Sequence, residues 1–227
     1  EALNNAGDFK GNLIILVNDN QMSIAENHGG LYRNLAELRA TNGQAENNFF
    51  KTFGLDYKYL ENGNDIESLI HLFEEVKDID HPIVLHIHTE KGRGYQPALE
   101  NKEAFHWHMP FDLETGQSKV IDSGKSYSSV MLDYMDKKVS EGLPLVAINA
   151  AIPGIFGLKQ FAAKYPDRYI DAGIAEQFTI TFGGAMAAAG ARPIIFHNST
   201  FVQRAYDQFW HDLAINEEPA IVIVKGG

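Results

Sequence analysis

The sequence predicts an α/β protein built of two doubly wound, mostly parallel-sheet units joined by an irregular linker. Three observations carry this expectation. Continuous apolar runs of strand length at 12–17, 83–88, 144–148 and 220–224 lack polar alternation, as strands covered on both faces require. Helical patterns lie between them, which is the order of βαβ units. Between Gln96 and Ser128 the periodicity lapses and Pro, Gly and Ser collect, as in an inter-domain segment. The expected divisions are 1–95, a linker at 96–127, and 128–227.

With 227 residues, 44% of them hydrophobic, the chain can bury a sizeable core. A net charge of −11 without a basic stripe argues against nucleic acid or an anionic membrane as the main partner. The absence of cysteine excludes disulfides and thiolate metal sites, and is compatible with a reducing cytosol. The longest apolar runs are too short or too rich in Gly and Ala to span a bilayer. The start, Glu1-Ala-Leu-Asn-Asn-Ala-Gly7, lacks an initiator Met and reads as the tail of a helix capped by Gly7. The last strand has no closing helix, so a fragment of a longer protein is expected.

In order, the strand at 12–17 empties into Asn18-Asp19-Asn20, a helix follows over 31–39, and 41–48 reads as a loose loop. A short strand ends at Leu60. Asn62-Gly-Asn-Asp65 then caps a helix over 66–77, whose Ile66, Leu69, Ile70, Phe73 and Val76 share a face. The strand at 83–88 follows. In the second half, helical patterns start at 128, 158, 176 and 202, and strands run over 144–148, 168–171, 192–197 and 220–224.

Several side chains on this frame carry chemistry. Ligands of open parallel sheets bind beyond the carboxyl ends of strands, where Asn18-Asp19-Asn20 would offer hard oxygen ligands to Mg²⁺ or form an ordinary turn. His86 and His88 alternate on one strand, as a metal pair or as core and edge histidines. Phe105-His-Trp-His-Met-Pro-Phe111 is too aromatic for an idle linker, making His106 and His108 candidate site residues beside a purely structural docking role. Glu176 opens a helix of small and apolar residues that has no solvated face and is expected to be buried. A carboxyl group there is suited to act as an acid, or it caps the helix dipole.

Taken together, Asn18-Asp-Asn-Gln-Met-Ser-Ile24, Lys91-Gly-Arg-Gly-Tyr95, Gly173-Ile-Ala-Glu-Gln177 and Ser199-Thr-Phe-Val-Gln-Arg-Ala-Tyr-Asp-Gln208 resemble thiamine-diphosphate enzymes of the transketolase superfamily. The 1-deoxy-D-xylulose-5-phosphate synthases are the most similar group, and the motifs span nearly the whole chain in that family's order. The resemblance implies thiamine-diphosphate-binding folds, a homodimer, and thiamine diphosphate with Mg²⁺ as cofactors. It implies condensation of pyruvate with glyceraldehyde 3-phosphate, with decarboxylation, in a cytoplasmic pathway toward isoprenoids, thiamine and pyridoxal. It maps the metal ligands to Asn20 and the Met22 carbonyl, with Ser23, Ile24 and Lys91 also at the cofactor. Glu176 maps to the glutamate on the pyrimidine nitrogen, and Phe201 to the aromatic stacked on that ring. His106 maps to the linker histidine that serves proton transfers, with His108 as the fallback, and Arg204 to a substrate-side arginine. A family Gly-Asp-Gly segment that completes the metal site has no counterpart here, so the chain alone is expected to be inactive.

The sequence also departs from the family. Phe178 replaces a His, Asn198 a Tyr, and Asn64 the His of a Gly-His-Asp motif; Lys225-Gly-Gly227 stands for an Asp-Arg, and the segment after residue 40 is short. These changes touch acceptor recognition. They leave open a transketolase-like ketol transfer to another acceptor, or a non-catalytic paralogue.

Overall fold

The computed structural model describes residues 1–120 and 124–226, so residues 121–123 of the expected linker and Gly227 lie outside the described residues. The chain divides into two compact units, residues 1–22 with 26–120, and residues 23–25 with 121–227.

The first unit contains α1 (Ala2–Gly7), β1 (Leu13–Asp19), α2 (Gly30–Ala40), β2 (Asp56–Leu60), α3 (Ile66–Val76), β3 (Pro82–His88) and α4 (Gln96–Glu100). Its three strands are parallel in the order β1-β3-β2. Alternate residues of β3 serve opposite layers: Val84 joins Ala6, Leu35 and Leu38 of α1 and α2, while Ile83, Leu85 and Ile87 join Leu72 and Val76 of α3. That is double winding. Asp65 caps α3 by accepting from the Ser68 N–H at 2.8 Å.

Three expectations are corrected here. The strand buried on both faces is β3, whereas β1 lies at the sheet edge with Leu16 48% exposed. Gly7 closes α1 from inside rather than capping it. Its hydrogen matters because a Cβ there would meet the Phe53 carbonyl oxygen at 2.2 Å. The segment 96–120, read as linker, is grouped with the first unit, and its Phe105 and Phe111 rings pack on each other and on Tyr95.

The second unit contains α5 (Tyr127–Ser140), β4 (Leu145–Asn149), α6 (Pro153–Phe156), α7 (Leu158–Lys164), β5 (Tyr169–Asp171), α8 (Glu176–Ala188), β6 (Arg192–Asn198), α9 (Ser199–Val202), α10 (Tyr206–Gln208) and β7 (Ile221–Lys225). Its parallel sheet runs β5-β4-β6-β7. Leu145, Ala147 and Phe196 face Met135, Phe156 and Phe161 of α5 to α7, while Val146, Ile148 and Ile195 face Ile180 of α8. This unit is doubly wound as well.

The helix expected over 202–216 is instead broken. A 3₁₀ turn (Gln203–Ala205) and a π-helical turn (Phe209–Ala214) flank α10. Helix α8 packs closely on the π turn, where a Cβ on Gly184 would lie 2.8 Å from the Asp212 carbonyl oxygen. Helix α8 is also not buried all round. Glu176, Thr179, Ile180, Gly183, Gly184 and Ala187 are covered, whereas Gln177, Phe178, Thr181, Ala185 and Ala188 are exposed. Among the described residues no helix is long and apolar enough to cross a membrane.

Candidate functional site

The sequence-predicted residues fall into three clusters. In the second unit, β5 ends in Asp171, whose carboxylate accepts from the Ala151 and Gly173 N–H groups at 2.9 Å each and from the Asn149 side-chain amide at 3.1 Å. These bonds fix the loop that delivers Glu176 to the first turn of α8. The Glu176 side chain is 2% exposed and accepts from Arg204 at 3.2 Å, which compensates its lost hydration. The Arg204 guanidinium also lies 5.8 Å from the centroid of the half-buried Phe201 ring. One guanidinium thus brings together three residues that the sequence placed 28 positions apart or less.

Below Glu176 lies a pair that sequence reasoning missed. The His197 Nε2 is 2.9 Å from the Thr179 hydroxyl, which donates to the Glu176 carbonyl at 2.7 Å. Burial holds the His197 ring below the usual histidine range, against the opposing pull of Glu176. The signal available was a histidine ending an apolar strand. Asp171 and Asn149, at the carboxyl ends of neighbouring strands, carried a similar signal.

In the first unit, the polar triplet after β1 divides its roles. Asn18 accepts from the Thr89 hydroxyl, and Asn20 from the Met22 N–H at 3.1 Å. Asp19 turns inward to Arg39, to His86 Nε2 at 2.9 Å, and to the Gln21 N–H at 3.0 Å. Burial alone would push its carboxyl up; His86, Gln21 and Arg39 outweigh that and bring it to about 2. His86 is fully buried, with the Tyr57 hydroxyl 2.7 Å from Nδ1, and His88 meets Glu61. His86 is therefore a core residue, and His88 stands at the carboxyl end of the central strand β3. Among the described residues no group of three or more His, Cys, Asp or Glu could hold a metal ion. Asn20, His88, Thr89 and Arg93 line a cavity of about 350 Å³ beyond the strand ends. Ser23 and Ile24 are grouped with the second unit, where Ile24 packs against the Met135 and Phe196 core.

The third cluster separates the two linker histidines. His106 Nδ1 lies 3.1 Å from the Lys91 ammonium, whereas His108 donates to the Met109 carbonyl at 2.7 Å and packs between Phe105 and Phe111. Partial desolvation, and then the Lys91 cation, lower the His106 ring below its ordinary value. Desolvation likewise lowers Lys91, against Glu103. Lys91→Met should therefore raise the His106 titration midpoint, followed by imidazole ¹⁵N shifts; an unmoved midpoint would show that the cation has no hold on the ring.

Comparison with known proteins relates both halves of the chain to described families. A family model described as "Transketolase, pyrimidine binding domain" matches residues 123–227, and one described as "1-deoxy-D-xylulose-5-phosphate synthase" matches 1–47 and 40–89. The chain is 36% identical to 1-deoxy-D-xylulose-5-phosphate synthase 1 of Geobacter sulfurreducens, over 100% of its own length and 41% of that protein. The chain belongs to the 1-deoxy-D-xylulose-5-phosphate synthase family. The synthases of Syntrophotalea carbinolica (35% identical, 100% of this chain, 42% of that protein) and Geobacter metallireducens (38%, 96%, 41%) match similarly. The chain thus spans about two fifths of the length of these curated relatives. The two N-terminal matches overlap at 40–47.

Phe178, Asn198, Asn64 and Lys225, singled out in the sequence, have local work in this fold. Phe178 stacks on Phe182 at 5.2 Å, and Asn198 caps α9 through the Thr200 N–H at 2.9 Å. Asn64 accepts from the Glu90 N–H at 2.6 Å. Lys225 donates to the Ile155 carbonyl at 2.7 Å and to the Ser128 hydroxyl at 3.3 Å.

Proposed function

We propose that this chain is part of a thiamine-diphosphate-dependent transferase that condenses pyruvate with an aldehyde phosphate, glyceraldehyde 3-phosphate in the family, with loss of carbon dioxide. The observation that carries the reading is the buried Glu176 carboxylate, joined through Arg204 to the Phe201 ring. A carboxyl group held out of water and an apolar ring face fit a flat aminopyrimidine. The donor set for Mg²⁺ is only partial: Asn20 Oδ1, which accepts from the Met22 N–H at 3.1 Å, and the Met22 carbonyl would supply two neutral oxygens, and among the described residues no group of three or more His, Cys, Asp or Glu could complete such a site.

Bound thiamine diphosphate would supply the electron sink for decarboxylation. The protein's part is placement and proton control. Glu176 would hold a proton at the pyrimidine ring nitrogen, and Phe201 would fix the ring plane. Lys91 and His106 would serve the polar end of the cofactor and proton transfers. Ser23 and Ile24 would add backbone and apolar contacts, and Arg204 and His108 would face substrate. A homodimer in the cytoplasm is the proposed working unit; the exposed Phe178, Tyr206 and Trp210 support apolar pairing between copies.

The test is release of labelled carbon dioxide from pyruvate by the whole protein, which should depend on added thiamine diphosphate and an aldehyde phosphate. Absence of release with turnover of a ketose donor would favour ketol transfer instead. That second reading draws on Lys225, which is engaged with Ile155 and Ser128 where the family has an acceptor-phosphate arginine.

A further inference from the structure

The Arg204 guanidinium stands where the proposed function requires an aminopyrimidine ring. It is flat and edged with nitrogen, it donates to Glu176 at 3.2 Å, and its carbon lies 5.8 Å from the Phe201 centroid. The pair is unequal, since the Glu176 side chain is 2% exposed and that of Arg204 is 50% exposed. One partner is anchored on α8, and the other sits at the end of a long side chain with room to leave.

The two tenants ask for opposite states of the same carboxyl group. A guanidinium keeps its protons and takes a charged carboxylate, whereas a ring nitrogen that accepts a hydrogen bond needs a protonated carboxyl. Both also want the Phe201 face. Their occupancies are therefore exclusive.

We propose that Arg204 is an internal competitor for the pyrimidine site, holding Glu176 as a charged pair until an aminopyrimidine ring expels it. This inference rests on the reading of Glu176 and Phe201 as ring-binding residues. Once displaced, the guanidinium is free to take an anionic group, so occupancy of the ring site promotes anion capture by Arg204. By linkage, a bound anion in turn tightens the ring site.

The test titrates the chain with 4-amino-2-methylpyrimidine, which carries the ring without the diphosphate and so needs no metal. Calorimetry gives affinity, and arginine side-chain ¹⁵N–¹H signals report the guanidinium. Arg204→Met should bind the ring about tenfold more tightly, or about 1.4 kcal/mol, with Arg204→Lys falling between. In the unaltered chain, the Arg204 signal should move toward the position of a free guanidinium at saturation. Equal affinities with an unmoved Arg204 signal would overturn the inference and leave the ring site standing. No binding by either chain, with amide spectra showing both folded, would overturn the inference together with the ring-site reading.

Discussion

Changing Glu176 to Gln should lower pyruvate-dependent carbon dioxide release by the whole protein about 10²–10⁴-fold while leaving its stability unchanged or slightly higher. The first effect follows from proton control. Glutamine matches the shape of glutamate and keeps a hydrogen bond, but its amide cannot pass a proton to a ring nitrogen, and positioned acid–base groups contribute about 10²–10⁴ in rate. The second follows from burial. Glu176 is 2% exposed, so a neutral side chain removes a charge whose desolvation Arg204 compensates from a half-exposed position. Such a trade of activity against stability marks a residue kept for chemistry rather than for packing. Thermal melts beside the turnover assay check both halves. Unchanged turnover would remove Glu176 from the mechanism, and a large loss of stability would make it a structural anchor.

Much of this architecture was legible because it is local. Apolar runs without alternation gave β3 and β4, and Asn62-Gly-Asn-Asp65 marked the start of α3 from four residues of sequence. What escaped depends on distant partners. Nothing near Leu16 says that β1 lies at a sheet edge, and nothing near Gln203 says that α8 will press on the chain that follows it. The all-apolar look of α8 suggested full burial, yet composition does not fix how many sides of a helix find neighbours. In the site, Glu176 and Phe201 stood out through their motifs, and the guanidinium linking them needed three dimensions. The same holds for Thr179 and His197, whose contact joins a helix to a strand. It holds most strongly for Asp19 and His86, 67 positions apart.

Asp19→Ala should destabilise the first unit by about 3–5 kcal/mol near neutral pH, the usual cost of removing one partner of a buried ion pair. Arg39 and the fully buried His86 would each lose an acceptor inside the protein. The pH dependence fixes the sign. The folded-state value of Asp19 is lowered from 3.8 to about 2, so its charged form is favoured by folding. That stability is fully present above the unfolded value and is lost as pH falls from about 4 through 2. A shift of this size corresponds to about 2 kcal/mol. Hydrogen exchange of β1 and β3 amides in the unaltered and Asp19→Ala chains should therefore show a wide gap at pH 7 that narrows toward pH 3. A gap of equal width at both values would mean that side-chain packing, and not charge, is what Asp19 contributes. The consequence reaches past stability, because Asp19 also holds the Gln21 N–H. The turn presenting Asn20 and Met22 is thus tied to the buried network, and loosening that network should displace both oxygens proposed as metal ligands.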